Sequence, residues 1–300
     1  MKRQSLYESA DQPSRGSLAR YLLAASRPRF WLYLAGPALV GVAWAARDPG
    51  DLLGLGPLAV IGYFLLPANL FLYGVNDRFD APVDAHNPRK SESGPEVQYR
   101  ESRWVWAVVL TAGALGLGLA ALFVSNRGGA LAAGSVLGFI ALAVAYSTPP
   151  FRFKGRPPLD SVSNGLYVLP GLAGYVAVAG VAPPLVVVVA GWLWTMAMHT
   201  FSAIPDVEPD RAAGVATTAT VLGQAGALAY CVGCWLAAAL LAASHAPALG
   251  LLFGAYPVLG TAVGLADVDI DRAYAWFPLV NGLLGMVLTL AGLWRVVGVA

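Results

Sequence analysis

Nine residues, Asn76-Asp77-Arg78-Phe79-Asp80-Ala81-Pro82-Val83-Asp84, hold three carboxylates and an amide directly after an apolar run that ends at Leu72-Tyr73-Gly74-Val75. Three acids this close repel one another unless a cation lies between them. Hard oxygen donors in such a group suit Mg²⁺, which usually takes one or two carboxylates together with substrate phosphates. Alone, the cluster reads equally well as a solvated acidic loop after a hydrophobic helix. Pro82 removes a backbone donor and disfavours helix before it. The expectation is therefore that Asn76, Asp77 and Asp80 share the last helical turns, with Asp84 beyond the helix end.

A second acidic pair sits in Pro205-Asp206-Val207-Glu208-Pro209-Asp210-Arg211. Asp206 and Asp210 are four apart, a spacing that puts both on one helical face. Pro205 and Pro209 are tolerated if they fall in the first turn of a helix, where their missing N–H groups go unpaired anyway. Between the two acidic clusters lies Tyr146-Ser147-Thr148-Pro149-Pro150-Phe151-Arg152-Phe153-Lys154-Gly155-Arg156-Pro157. Its prolines suggest an extended path that directs three cations to one face, as a membrane anchor or as a clamp for a diphosphate. Arg78, Arg89, Lys90, Arg152, Lys154 and Arg211 are candidates to neutralise such an anion.

The elements that must position these residues are membrane helices. The chain has 300 residues, 57% of them hydrophobic and 12% charged, against roughly 25% charged in a soluble domain. About nine apolar runs approach the ~20 residues needed to cross a bilayer: 31–46, 57–75, 104–124, 130–146, 161–179, 184–201, 221–242, 248–265 and 275–297. The fold expected is an all-α membrane bundle of about nine transmembrane helices around a central cavity. Residues 1–29 form a polar tail with an interfacial segment, and 30–300 one transmembrane domain. No cleavage-site pattern marks a signal peptide.

With nine spans and the N-terminus inside, 16 of the 19 basic residues fall on one side, and only Arg47, Arg127 and Arg295 on the other. The positive-inside rule makes the crowded side cytoplasmic, in a cell membrane. Both acidic clusters lie on it, separated by four spans, as an internal duplication of a four-helix unit would give. The cavity should open there. The net charge of +2 gives no reason to expect a nucleic-acid partner. Cys231 and Cys234 form C-x-x-C inside an apolar run and read as packing residues, because a redox pair needs exposure. Asp267, Asp269 and Asp271 read as a solvated loop before the last span.

These motifs resemble the UbiA superfamily of intramembrane prenyltransferases. That family carries N-D-x-x-D-x-x-x-D after its second helix, D-x-x-x-D after its sixth and a Tyr-Ser…Lys motif after its fourth. Here Asn76/Asp77/Asp80/Asp84, Asp206/Asp210 and Tyr146-Ser147…Lys154 stand in that order. A narrower likeness, through 30–37, 72–77, 146–161 and 199–211, is to the lycopene elongases, some of them elongase/hydratases of C50 carotenoid synthesis. The resemblance implies Mg²⁺ as cofactor, held by Asn76, Asp77, Asp80, Asp84, Asp206 and Asp210. It implies dimethylallyl diphosphate as donor and lycopene or a similar lipophilic acceptor within the membrane lipid. Tyr146, Lys154, Asp80 and Asp206 would be catalytic, with Tyr146 positioning the diphosphate and His199 or Glu208 serving the final proton or water step. Within the family, a quinone precursor or a glycerol phosphate is the alternative acceptor. A secondary transporter is the alternative of another class, but transporters place their acids near the midplane rather than at helix ends.

Overall fold

The computed structural model describes residues 15–84, 100–125, 129–212, 214–266 and 268–298, and every described element is helical. An interfacial helix α1 (Arg15–Ala25) precedes α2 (Trp31–Ala45) and the short α3 (Pro49–Leu52). The bundle continues through α4 (Leu55–Leu65), α5 (Pro67–Asp84), α6 (Arg103–Val124) and α7 (Gly129–Ser147). The second half contains α8 (Leu159–Val162), α9 (Leu169–Ala179), α10 (Leu185–Ala203), α11 (Val207–Ala212), α12 (Thr218–His245), α13 (Pro247–Leu265) and α14 (Ile270–Val297). Eight segments among the described residues are long and apolar enough to cross a membrane. The first expected span, α2, has 15 helical residues.

Three of the expected spans are broken, the seventh at Gly223 (φ 70°) near the start of α12. The second runs through α4 and α5, which part at Leu66, a non-helical residue. Pro67 has no N–H for the preceding turn, and the Asn69 amide takes over by donating to the carbonyls of Phe64 (3.1 Å) and Leu65 (3.0 Å). The fifth begins as α8, tightens to a 3₁₀ stretch over Ser163–Val168, and continues as α9. Gly165 lies in that stretch flat against the Trp192 ring, where a Cβ would meet the indole at 1.8 Å.

Helix ends follow their capping residues. Ser102 accepts from Trp104 N at the start of α6, and Thr217 and Thr220 form a reciprocal capping box at the start of α12. Asp269 caps α14, so this acid of the 267–271 loop has a structural task; Asp267 lies outside the described residues.

The buried side chains form two clusters, one across α2, α4–α7 and α9, the other across α10, α12, α13 and α14. Glycines set the closest helix approach, between α2 and α9, where Gly41 lies against the backbone of Gly171. The bundle closes because α14 returns to α2. Trp44 Nε1 donates to Leu288 O at 2.8 Å, and the Arg295 guanidinium lies over the Trp44 ring. Leu240, Leu251, Leu265 and Trp294 are exposed on the outer surface, which suits contact with hydrocarbon. Cys231 is fully buried and Cys234 half-buried, both as free thiols.

Candidate active site

The site lies where α5, α7, the 148–158 connection and α10 end together. Ser147, the last residue of α7, donates to Asn76 Oδ1 on α5 at 3.1 Å. At the start of α8, Asp160 accepts from Thr218 N at 2.7 Å and from Thr218 Oγ1 at 2.5 Å. This ties the first turn of α12 to the same end. The segment carrying Asp206 and Asp210 connects α10 to α12, so the bundle brings both acidic motifs to one end.

The first motif is a continuous helical face. Contrary to the expectation drawn from Pro82, α5 runs through Asp84. The proline falls in the last turn, and the carbonyl it leaves without a donor belongs to exposed Arg78 at the helix end, where water can replace the bond. Asn76, Asp77, Asp80 and Asp84 therefore share one side of α5 by their spacing. The Asp84 side chain, with Arg89 and Lys90, lies outside the described part of the structure.

Lys154 is the centre of the site. Its Nζ approaches Asn76 Oδ1 at 3.4 Å and makes a shorter ion pair with Asp80 Oδ1. The Arg152 guanidinium reaches the same oxygen at 3.5 Å. These two cations converge, but by a different path from the extended one expected. Arg152 adopts a left-handed conformation (φ 40°) and Phe153–Gly155 is a 3₁₀ turn. A strand here would leave its backbone groups without a ladder partner; the turn satisfies them through Arg152 N to Thr148 O and Arg156 N to Phe153 O. The third cation diverges, with Arg156 Nη2 bonded to Pro150 O at 2.7 Å.

Asp77 is buried and meets a residue that the motifs do not contain. Arg27, also left-handed at φ 51°, reaches from the end of α1 to pair with Asp77 Oδ1 at 2.9 Å. Its guanidinium lies 4.5 Å from the centroid of the Tyr73 ring. In sequence Arg27 is one of several basic residues of an amphipathic segment, and nothing distinguishes it.

The remaining candidates separate into inner and outer groups. Asp206 closes the 3₁₀ turn Ile204–Asp206 and Asp210 lies in α11, with Pro205 and Pro209 each in a first turn. The two carboxylates are close enough for their charges to repel. Arg211 faces away: its Nε and Nη2 hold the Thr220 carbonyl at 3.0 and 2.7 Å, and its Nη1 pairs with Glu208 at 3.2 Å. Thr220 O needs these donors because Gly223, at φ 70°, interrupts the α12 ladder above it. Glu208 is exposed. Arg78 is exposed and pairs with Glu101 at 3.5 Å.

Behind this cluster lies a buried polar layer. Tyr146 directs its hydroxyl toward His199 Nε2 at 3.5 Å, the rings edge to face with centroids 5.9 Å apart. Ser147, rather than its neighbour Tyr146, touches the α5 motif. Asp160 (1% exposed) and Asn164 complete the layer. A buried acid at the start of an apolar span was the one signal in sequence that could have singled out Asp160.

Among the described residues no three His, Cys, Asp or Glu side chains gather into one compact metal site. The donor set nevertheless suits a hard cation. Asn76 Oδ1 and Asp80 Oδ1 both point at the single positive charge of Lys154 Nζ, and all candidate donors in the two motifs are oxygens.

Comparison with known proteins gives the same architecture. Residues 34–282 match the UbiA prenyltransferase family. A lycopene elongase/hydratase of Haloferax volcanii is 54% identical over 282 residues, covering 92% of this chain and 90% of that protein. A lycopene elongase/hydratase of Haloarcula japonica is 52% identical, covering 94% of each. The structure of a UbiA homologue from Archaeoglobus fulgidus bound to DMAPP and Mg²⁺ superposes with a TM-score of 0.71 at 21% identity, over 91% of this chain and 99% of that one.

Proposed function

The chain belongs to the UbiA prenyltransferase family, and on that premise we propose that it transfers the five-carbon group of dimethylallyl diphosphate to the ends of lycopene. The likeness of more than half the residues, over nearly the whole chain, to relatives named lycopene elongase/hydratase supports lycopene as acceptor. The convergence of Lys154 and Arg152 on Asp80, beside Asn76, is the observation that supports transfer chemistry at this end. It sets cations and oxygen donors side by side, as a metal-bound diphosphate requires.

Asn76, Asp77, Asp80, Asp84, Asp206 and Asp210 would hold Mg²⁺. Bound there, the ion would supply positive charge to balance the departing diphosphate. Lys154 and Arg152 are long cations at the mouth of the acidic site and can bind diphosphate oxygens by charge-assisted hydrogen bonds. Tyr146 stands between this end and the buried layer, within electrostatic reach of both Asp80 and Asp160. The apolar helix faces around it exclude water, which protects an allylic cation from early capture. The terminal double bond of the acceptor then attacks that cation. The protein is a multi-pass membrane protein; the charge asymmetry of its connections supports a cytoplasmic site in the cell membrane.

The test supplies membranes containing the protein with lycopene and dimethylallyl diphosphate, and analyses pigments by mass. Products five and ten carbons larger than lycopene are expected, lost on chelation and restored by Mg²⁺. Asp80→Ala and Asp206→Ala should each abolish them. Undiminished product from either variant refutes the metal role of that motif; no enlarged lycopene product refutes the acceptor.

A further inference from the structure

The buried layer behind Lys154 sets polar and titratable side chains inside an otherwise apolar bundle. Tyr146 and His199 face each other at 3.5 Å. Asn164 and Asp160 lie buried in the same layer, the Asn164 amide donating to the Asp160 main-chain carbonyl at 2.5 Å. Asp160 is itself fixed by two donors from Thr218. A phenol whose hydroxyl faces an imidazole can pass a proton to it, because a neutral imidazole carries one nitrogen free to accept.

A second observation points to water. Thr200, next to His199, donates to Ser161 Oγ at 2.9 Å, and Ser161 shares a hydrogen bond with Tyr230 at 3.0 Å. Tyr230 lines a groove of about 350 Å³ with Pro157, Pro158, Thr218, Val221 and Leu222. Three hydroxyls thus connect a groove beside the 148–158 connection to Thr200 on α10, the residue that follows His199. Hydroxyls buried in an apolar bundle cost free energy unless bonded, and each of these is bonded to the next.

Resting on the prenyl-transfer reading above, we propose that Tyr146 and His199 form the proton acceptor that ends the reaction by adding water to the product cation. The acceptor's double bond supplies the electron pair of the new C–C bond, and the diphosphate leaves with the pair of the broken C–O bond. The tertiary cation left on the acceptor takes a lone pair from water. A water proton passes to the Tyr146 oxygen as the Tyr146 proton passes to His199 Nε2, and the O–H electrons stay on the new hydroxyl. Without this acceptor the departing pyrophosphate is the nearest base. It removes a C–H proton instead, and the C–H pair becomes a double bond.

The experiment measures the ratio of hydroxylated to alkene product, made from lycopene and dimethylallyl diphosphate in H₂¹⁸O, in membranes containing the wild type, His199→Phe, His199→Gln or Tyr146→Phe. The wild type should incorporate ¹⁸O. Each variant should lower the ratio by tenfold or more in whatever product it makes. Tyr146→Phe keeps the ring and its packing, so it reads the hydroxyl even if changes at His199 disturb folding. An unchanged ratio in Tyr146→Phe or His199→Phe overturns the proposal, as does wild-type product enlarged by five carbons but free of ¹⁸O. Absence of any enlarged product from the wild type overturns the transfer reading and this inference with it.

Discussion

Substituting Gly41 by alanine tests whether the α2–α9 crossing holds the bundle together. A Cβ at Gly41 would lie 2.1 Å from Gly171 O and 2.9 Å from both Gly171 C and Tyr175 N. All three are backbone atoms, so no side chain can rotate aside. Bringing the shortest contact to 3.0 Å requires the helices to part by about 0.9 Å in a closely packed interior. Overpacking of this kind costs about 1–3 kcal/mol, and a clash with backbone belongs at the upper end. About 2.8 kcal/mol would lower the folding equilibrium constant roughly a hundredfold. Gly118, on the exposed side of α6, has nothing within 4 Å of a built Cβ. Gly118→Ala should therefore be neutral, or stabilising by up to about 1 kcal/mol through helix propensity. Purified protein in mixed micelles, titrated with sodium dodecyl sulfate and followed by tryptophan fluorescence and circular dichroism, measures the difference. Equal stability of the Gly41→Ala and Gly118→Ala variants would show that the crossing does not depend on the glycine, and the packing account would fail.

Two further outcomes follow from the site. Lys154→Met should lower kcat/KM for dimethylallyl diphosphate by roughly 30- to 150-fold, since charged hydrogen bonds are worth about 2–3 kcal/mol; Lys154→Arg should recover part of it, and steady-state rates within twofold of wild type for the methionine variant would exclude Lys154 from the diphosphate site. Thr218→Val keeps the shape and the backbone donor to Asp160 but removes the hydroxyl, so detergent unfolding should show a loss of about 1–3 kcal/mol from the under-bonded buried carboxylate. No loss would mean that the carboxylate has another donor.

The membrane class and the positions of both acidic motifs were legible because each is a property of composition or local spacing, whereas nine spans were expected and eight described segments are long and apolar enough to cross. Hydropathy over some twenty residues decides whether a segment can enter a bilayer, and clusters of oxygen donors at segment ends are visible without knowing the fold. Local reasoning failed where a local rule met a particular place. Pro82 disfavours helix in general, but in the last turn at a solvated end it costs little, and α5 continues through Asp84. The prolines around Arg152 suggested an extended path, but a 3₁₀ turn over Phe153–Gly155 satisfies the backbone instead.

Arg211 shows the same limit for side chains. Its charge and position beside Asp210 made it a candidate for the diphosphate, yet the kink at Gly223 exposes a carbonyl that holds it. Sequence alone thus determined which atoms are available and at which end of the helices they lie, since chain order and segment length settle both. Only the tertiary structure decided their pairing: Lys154 with Asp80, Arg27 with Asp77, Thr218 with Asp160, Tyr146 with His199. Each pair joins residues from 50 to 74 positions apart. At such separations the direction of a side chain is set by how distant helices pack, and no local spacing carries that information.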